Sequence, residues 1–555
     1  MDVKHKSVKV NMIMNAILTM SSFIFPLITF PYVSRILLAE GTGKVNFATS
    51  IIAYFAMFAQ LGIPTYGVKA CARVRDNKEK LSRTAHEILS INLFMCVIVY
   101  IAFFISLKAV PKFASERTLM LIVSITIFLN AIGVEWLYKA MEQYTYITVR
   151  SVIFKLVALI AMFLLVHTKE DYVIYGAISI FASGASNVLN FINVRKLIYV
   201  KPVGGYCLKR HFKMIAVFFA MSVATTVYTN LDTAMLGFMK TDTDVGYYSA
   251  AVKIKTILVS FVTSASSVLL PRMTYYIENN EKSEFDRIAK KTMKFIFLLA
   301  SPCVIYFMIF AKEGIYALSG NGFAGSVLPM QIIMPTLLLI GITNVIGIQI
   351  MVPMGKEKHV LFSEIAGALV DLAINAALIP EYGAAGAAIG TLVAETVVLI
   401  WQYFSLKDVA GTMLKSVKYW LIFIALTAST AASLWVKLLK FNDILAILVS
   451  AVLFFGIYLL VMIIFKEPLV HETFIQIKNK FKNYTIKFVV LVVDEKILLL
   501  RDKERPEDYQ MKERCIVLLN SFKNKNYNAQ SILDTTNLSV NETIDIIEND
   551  NRFIL

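Results

Sequence analysis

Charge is what this sequence has least of. Asp, Glu, Lys and Arg make up 17% of its 555 residues, 57% are hydrophobic, and the mean hydropathy is +0.65. A soluble domain carries about 25% charged and about 45–50% apolar side chains. The shortage excludes a water-soluble globule, whose core could not hide so much apolar surface, and leaves lipid as the solvent for the excess. Cysteine is scarce too. Cys71, Cys96, Cys207, Cys303 and Cys515 fall in apolar runs or basic loops without CxxC or Cys/His spacing, which argues against a disulfide framework or a Cys-based metal site. No G-x-x-x-x-G-K-[ST] loop occurs, which argues against direct ATP drive. The first apolar stretch is too long for a signal peptide and lacks a small-residue cleavage site, so it reads as a span.

What charge there is carries a net +16. An RNA or DNA binder would spread its basic residues through soluble, aromatic-rich segments. Here they cluster between apolar runs, which excludes nucleic acid as the partner of the main body and fits the loops of a membrane protein. A spanning helix needs about 20 mainly apolar residues. The runs predict about fourteen, near 11–34, 45–66, 86–107, 118–138, 148–167, 173–194, 214–238, 247–270, 294–311, 327–352, 360–380, 384–405, 419–436 and 443–465. With a cytoplasmic N-terminus, inside connections hold about 28 Lys/Arg and outside ones about 10 under the positive-inside rule. That orientation puts both termini in the cytoplasm. The outside stretches 108–117, 168–172, 239–246, 312–326 and 437–442 are too short for the external domain that a polymerase or lipid-dependent glycosyltransferase needs.

An internal repeat is visible. Gly43-Lys-Val-Asn-Phe-Ala48 entering the second span can be laid on Gly246-Tyr-Tyr-Ser-Ala-Ala251 entering the eighth, and both spans lead into basic loops with similar short runs. The expected organisation is a six-helix lobe at 1–205, a second at 206–405, two additional helices at 406–465, and a soluble cytoplasmic module at 466–555. The repeat interface is the expected substrate route. In the tail, Tyr484–Leu500 is interrupted by Asp494-Glu495-Lys496 and makes a poor span. Ser539-Val-Asn-Glu542 has the form of a capping box, and with a helix-like stretch near Asn528–Asp534 it suggests a helix-turn-helix. Mixed acidic and basic residues favour packing or partner docking over DNA binding for this module.

Ionisable residues deep in spans point to a water-filled path or a paired partner, since burying one costs about 2.5–3.5 kcal/mol on insertion scales. The candidates are Asp232, Lys253, Lys255, Lys155, Glu364, Asp371 and Glu395, with Arg35 and Glu135 nearer span ends. Lys253 and Lys255 stand roughly 200° apart around a helix and cannot both face one lumen. Glu364 and Asp371, seven apart, share a face. Asp232 and Lys253 either line a cavity or pair with a neighbour. An interfacial place is favoured for Arg35 and Glu135, and snorkelling for Lys155. Pro26, Pro31, Pro64, Pro302, Pro329, Pro335 and Pro353 permit kinks useful for alternating access. Gly383, Gly386 and Gly390 suit a tight turn and close helix packing.

Several stretches together resemble one family. They are Phe25-Pro-Leu-Ile-Thr-Phe-Pro-Tyr-Val-Ser-Arg35, Glu40-Gly-Thr-Gly43, Gln60-Leu-Gly-Ile-Pro-Thr-Tyr-Gly67, Asn230-Leu-Asp-Thr-Ala-Met-Leu-Gly237, Val245-Gly-Tyr-Tyr-Ser-Ala-Ala251 and Leu270-Pro-Arg-Met273. Over roughly 8–465 the chain resembles the Wzx-type flippases of O-antigen, capsule and exopolysaccharide synthesis. The resemblance implies an all-α integral membrane fold of the multidrug/oligosaccharidyl-lipid/polysaccharide (MOP, MATE-like) exporter type. It implies a secondary transporter, not an enzyme, in a bacterial inner membrane. The implied substrate is an undecaprenyl-pyrophosphate-linked oligosaccharide moved from the inner to the outer leaflet, with H+ or Na+ coupling and no cofactor. Membrane lipids, a polysaccharide polymerase and glycosyltransferases are the implied partners. Arg35, Asp232 and Lys253 are carried over as lumen groups because they lie in matching stretches, whereas Glu364, Asp371 and Glu395 rest on the residue pattern. A lipid II flippase, a multidrug exporter on the same fold, and a membrane scaffold for glycan-assembly enzymes are the alternatives.

Overall fold

The first helix, α1, runs over Val8–Gln60, too long for a single crossing, and breaks at Leu38, whose φ of 57° and ψ of −171° are not helical. A β-carbon strains that conformation, so the break is held by its surroundings. Before it, α1 runs parallel to α7 (Tyr144–Leu165) in constant register. Thr148 Oγ1 donates to the Met14 carbonyl at 2.8 Å, and Tyr32 OH donates to the Val166 carbonyl at 2.9 Å. After it, α1 runs antiparallel to α10 (Lys209–Met239), with Ser50 Oγ donating to the Asn230 carbonyl at 3.0 Å and Phe47 edge-on to Phe238. One helix thus threads through both halves of the bundle.

The computed structural model describes residues 8–279, 281–439 and 441–472, and beyond them 490–503, 532–550 and positions 475, 511, 516 and 519. The chain divides into two units, Met1–Val461 and Met462–Leu555. In the first, α2 (Ile63–Ala72), α3 (Lys78–Ala109), α4 (Pro111–Ser115), α5 (Arg117–Ile132), α6 (Glu135–Ala140), α7, α8 (Tyr172–Ile180) and α9 (Ser186–Asn193) follow α1. Local signals set their ends. The Asn77 side chain accepts from the Lys80 amide at 2.9 Å to start α3, and Pro111, at the first position of α4, follows its end.

The second half holds α10, α11 (Asp242–Glu278), α12 (Lys282–Ile309), α13 (Ala311–Ser319), α14 (Val327–Ile333), α15 (Thr336–Thr343), α16 (Glu357–Tyr382), α17 (Ala384–Ser405) and α18 (Lys407–Lys415). A Thr241/Asp244 capping box opens α11 directly after α10, so these two form a hairpin. Two further helices, α19 (Tyr419–Leu434) and α20 (Asp443–Ile464), lie on α12. There Tyr306 OH donates to the Ile447 carbonyl at 2.8 Å, and Tyr458 OH to the Leu298 carbonyl at 3.1 Å.

Among the described residues twelve helices are long and apolar enough to cross a membrane, or thirteen counting a pair bent by 43° between Asn321–Ile333 and Thr336–Met351. The first of the twelve, Ile13–Ala72, is the stretch broken at Leu38. Pro335, with no amide proton to give, stands at the 43° bend. Large apolar side chains face outward, among them Phe94, Leu164, Phe423 and Val452, each about two-thirds exposed or more. A soluble fold would bury these; a lipid-facing one has no need to.

The second unit contains β1 (Val490–Val492) paired in parallel with β2 (Ile532–Asp534), α21 (Glu495–Lys503) and α22 (Val540–Asn549). The Ser539/Glu542 capping box forms as expected at the start of α22. The helix-like reading of Asn528–Asp534 is corrected over its second part. Ile532, Leu533 and Asp534 form a strand, since so short a segment can satisfy its backbone against Val490–Val492 as readily as in a helical turn. Residues 528–531 and 484–489 lie outside the described residues.

Candidate functional site

The hairpin of α10 and α11 is the shared wall of two chambers inside the first unit. Helical spacing puts Asn230 and Thr233 of α10, with Ser249, Val252, Lys253 and Thr256 of α11, on the first chamber, of about 350 Å³. Helix α1 closes that chamber with Ser22, Pro26, Asn46, Thr49 and Ser50. The lining mixes hydroxyls and amides with the apolar Pro26, Val252 and Ile257, and Lys253 is its only charged member. Lys253 Nζ lies 4.5 Å from the centroid of the Phe30 ring. No hydrogen bond or ion pair joins it to another described residue.

The second chamber, of about 530 Å³, is lined by the other face of the hairpin, with Asp232, Tyr248 and Lys255, and by Glu364 of α16 and Thr391 and Glu395 of α17. Thr233, Val252 and Thr256 border both chambers. Lys253 and Lys255 therefore stand on different chambers, as their angular separation requires.

Asp232 is the centre of a buried polar cluster that ties four helices. Its Oδ1 accepts from Asn375 Nδ2 of α16 at 2.6 Å. Its Oδ2 accepts from Thr391 Oγ1 of α17 at 2.9 Å and from the Tyr248 hydroxyl of α11. Asp371, one turn before Asn375, is 2% exposed and lies beside Asp232. Asp371 Oδ1 and Asn375 Oδ1 have no hydrogen-bond partner. Both point at Gly390, where an added β-carbon would lie 2.2 Å from the Asn375 oxygen and 2.8 Å from the Asp371 oxygen. The cluster offers two carboxylates, an amide oxygen and a hydroxyl with spare acceptor capacity. Among the described residues no three His, Cys, Asp or Glu side chains converge as metal ligands.

Of the six lumen candidates from sequence, Asp232, Glu364 and Glu395 line the second chamber, Asp371 stands behind Asp232, and Lys253 faces the first. Arg35 lies elsewhere. Its guanidinium donates to carbonyls at the end of α13, Leu318 at 3.1 Å and Ala317 at 2.6 Å. It caps that helix from the other lobe. Glu135 pairs with Lys139 at 2.8 Å. Lys155 does not snorkel: its Nζ donates to Ser21 Oγ and Ser22 Oγ, both at 2.9 Å. Sequence reasoning missed Asn375, Thr391 and Tyr248. The first two had a signal, four residues from Asp371 and from Glu395 on one helical face each. A π-helical stretch, Asn344–Met351, also went unforeseen; it presents Asn344 and Ile348 to the second chamber.

The lobes meet at the end of the bundle that holds Leu38. Lys112 Nζ of the first lobe pairs with Asp242 of the second at 2.6 Å, and beside it, within the first lobe, Lys44 pairs with Glu116 at 3.0 Å and the Tyr172 hydroxyl donates to Glu116 at 2.8 Å. At the opposite end, the segment joining the lobes is strapped to α3. The Tyr199 amide donates to Ser82 Oγ, Arg83 Nε to the Gly204 carbonyl, and the Cys207 amide to buried Glu87. Glu87 also receives Arg210 and His211 from the first turn of α10.

A family model described as polysaccharide biosynthesis protein matches residues 8–277. The chain is 25% identical over 403 residues to a putative O-antigen transporter of Escherichia coli (strain K12), covering 72% of this chain and 96% of that protein. In fold it is similar to a solved structure of the lipid II flippase MurJ in an inward closed conformation, with a TM-score of 0.63 at 16% identity over 82% of this chain and 100% of the other. It is also similar to an inward-facing multidrug resistance MATE family transporter of the MOP superfamily, with a TM-score of 0.57 at 14% identity over 73% and 99%.

Proposed function

We propose that the chain is a Wzx-type flippase, a multi-pass membrane transporter of polysaccharide biosynthesis and not an enzyme, a reading supported by the family model over residues 8–277, the O-antigen transporter relative and the flippase-like fold. The cargo is an undecaprenyl-pyrophosphate-linked oligosaccharide, turned from the inner to the outer leaflet of a bacterial cytoplasmic membrane. The charged loops orient the Leu38 end outward, so the closed end is the periplasmic one. A diphosphate with sugars cannot cross about 30 Å of hydrocarbon unaided, while its polyprenyl chain is at home there.

One observation carries the reading. The first chamber holds a single ammonium, Lys253, without a carboxylate beside it, in a lining of Ser, Thr and Asn. An uncompensated cation in a membrane is costly, and a phosphate entering the chamber offsets that cost. The hydroxyls and amides supply donors and acceptors for sugar.

The second chamber supplies the drive. A proton or Na+ held at Asp232, Asp371 and Asn375 changes the charge of a cluster that joins α10, α11, α16 and α17. The α10–α11 hairpin is also a wall of the first chamber, so a change in that cluster is felt where the cargo sits. Coupling of this kind needs a bistable element that both ligands bias, and the closed periplasmic end is the candidate. The test is reconstitution in liposomes with a short-chain prenyl-diphosphate oligosaccharide in one leaflet. Protein-dependent, gradient-stimulated appearance in the other leaflet supports the reading. Export of hydrophobic cations without movement of that lipid would replace it with drug export.

A further inference from the structure

Lys155 is a half-buried cation of the first lobe that the proposed mechanism leaves unused. The parallel register of α7 with α1 sets its Nζ against Ser21 Oγ and Ser22 Oγ, both at 2.9 Å. Ser22 lines the first chamber, so the wall between this ammonium and the chamber is one hydroxyl thick. Glu135, the carboxylate whose field reaches Lys155, is bound to Lys139 and Arg150 instead. No ion pair to Lys155 exists among the described residues.

Two serines are an unusual way to hold a half-buried ammonium. A carboxylate would satisfy its protons and cancel its charge; hydroxyls satisfy the protons and leave the charge in place. Lys253 is treated in the same way, with the face of Phe30 for a neighbour and no acid. Both cations rest on one stretch of α1, from Ser22 to Phe30, roughly 12 Å of helix at 1.5 Å per residue. Each has a flexible four-carbon stem to shorten the distance to a ligand between them. One comes from each lobe.

Resting on the flippase reading, we infer that Lys155, acting at the chamber wall through Ser22, is the second of two ammonium groups that select a diphosphate over a monophosphate. A single bridging phosphate needs one countercharge, and Lys253 supplies it. A diphosphate has a second, and Lys155, one hydroxyl behind the chamber wall, is the ammonium placed to offset it. Lys155 is thus a positioning and specificity residue, while Lys253 is the group that touches either ligand.

The test uses the full chain in lipid nanodiscs, with farnesyl diphosphate and farnesyl phosphate as probes. The wild type should bind the diphosphate about tenfold more tightly or better, the worth of one charge-assisted hydrogen bond. Lys155→Gln should bring the two affinities within about threefold by weakening only the diphosphate, and Lys155→Arg should keep the preference. Ser21→Asp, which neutralises Lys155 in place without altering the chamber lining, should reproduce Lys155→Gln and covers the case in which that variant does not fold. An unchanged ratio in both Lys155→Gln and Ser21→Asp overturns the inference. So does equal weakening of the two probes, which marks a structural role. Wild-type protein that binds neither probe above the Lys253→Gln background overturns the flippase reading itself.

Discussion

Gly43 and Gly246 face each other across the two lobes so closely that a β-carbon on Gly43 would lie 2.9 Å from the Gly246 amide nitrogen and 1.7 Å from the Asp242 carbonyl oxygen. On the other side, a β-carbon on Gly246 would lie 1.9 Å from the Ala39 carbonyl oxygen. These are the two glycines that align in the internal repeat. Backbone against backbone, they allow the Leu38 end to shut, with Lys112 and Asp242 paired beside them at 2.6 Å.

Gly246→Ala should therefore disfavour the closed state without unfolding either lobe, because the clash exists only while the lobes meet. Overpacking of this kind costs about 1–3 kcal/mol. Export should fall about tenfold, and a cysteine placed at Ser249 in the first chamber should become reactive to an impermeant maleimide added from outside. Unchanged labelling with normal export would place the closed end elsewhere.

Arg35 separates two accounts of the same residue. As a cap on α13 it holds the lobes through carbonyls 317 and 318; as a lumen group it would touch the cargo. Arg35→Lys keeps the charge and loses the planar fork. The cap predicts a loss of export of about three- to tenfold, modest because the site is partly exposed, with lipid-diphosphate affinity unchanged. A loss of affinity matching the loss of export would favour contact with cargo.

The span pattern was legible from apolar runs because lipid demands length and continuity, and the repeat of Gly43 and Gly246 suggested two lobes. The acidic candidates were legible for a related reason, since an intramembrane carboxylate is too costly to be idle. What could not be read was partnership. Nothing in the spacing of Asp232 says that Asn375 and Thr391, more than 140 residues on, complete its hydrogen bonds. The expectation that Lys155 snorkels weighed only its distance from the span end, not the two serines on α1 that the parallel register brings to it. Arg35 had a side-chain type that suits a phosphate, and a helix C-terminus offers it the same negative charge. The break between spans was expected between 34 and 45, but its place at Leu38 had no sequence signal, because a leucine with positive φ is imposed by tertiary packing.

Asp232→Asn should uncouple transport from binding. The amide preserves most of the packing but removes a charge from the cluster with Asp371 and Asn375. Gradient-driven movement should fall at least about tenfold, on the scale of one lost charge-assisted interaction, while lipid-diphosphate binding in the first chamber stays within about twofold. Undiminished gradient-driven transport in this variant would remove the coupling role.

The relative from Escherichia coli matches over almost its whole length while covering 72% of this chain, and both chambers are lined by residues before 403. Deleting residues 480–555 should leave reconstituted flipping within about twofold of the full chain, since the deletion removes no residue of either chamber. A collapse of flipping in purified protein would make the tail part of the machine.

The most direct test is the leaflet-to-leaflet movement of a prenyl-diphosphate oligosaccharide by purified protein, with Lys253→Gln and Lys253→Arg compared with wild type. An ammonium in contact with a phosphate in a low-dielectric chamber predicts a loss of about tenfold or more for the glutamine variant and substantial retention for arginine. Wild-type rates in Lys253→Gln would contradict the account at its root, for the first chamber would then have no part in holding the phosphate.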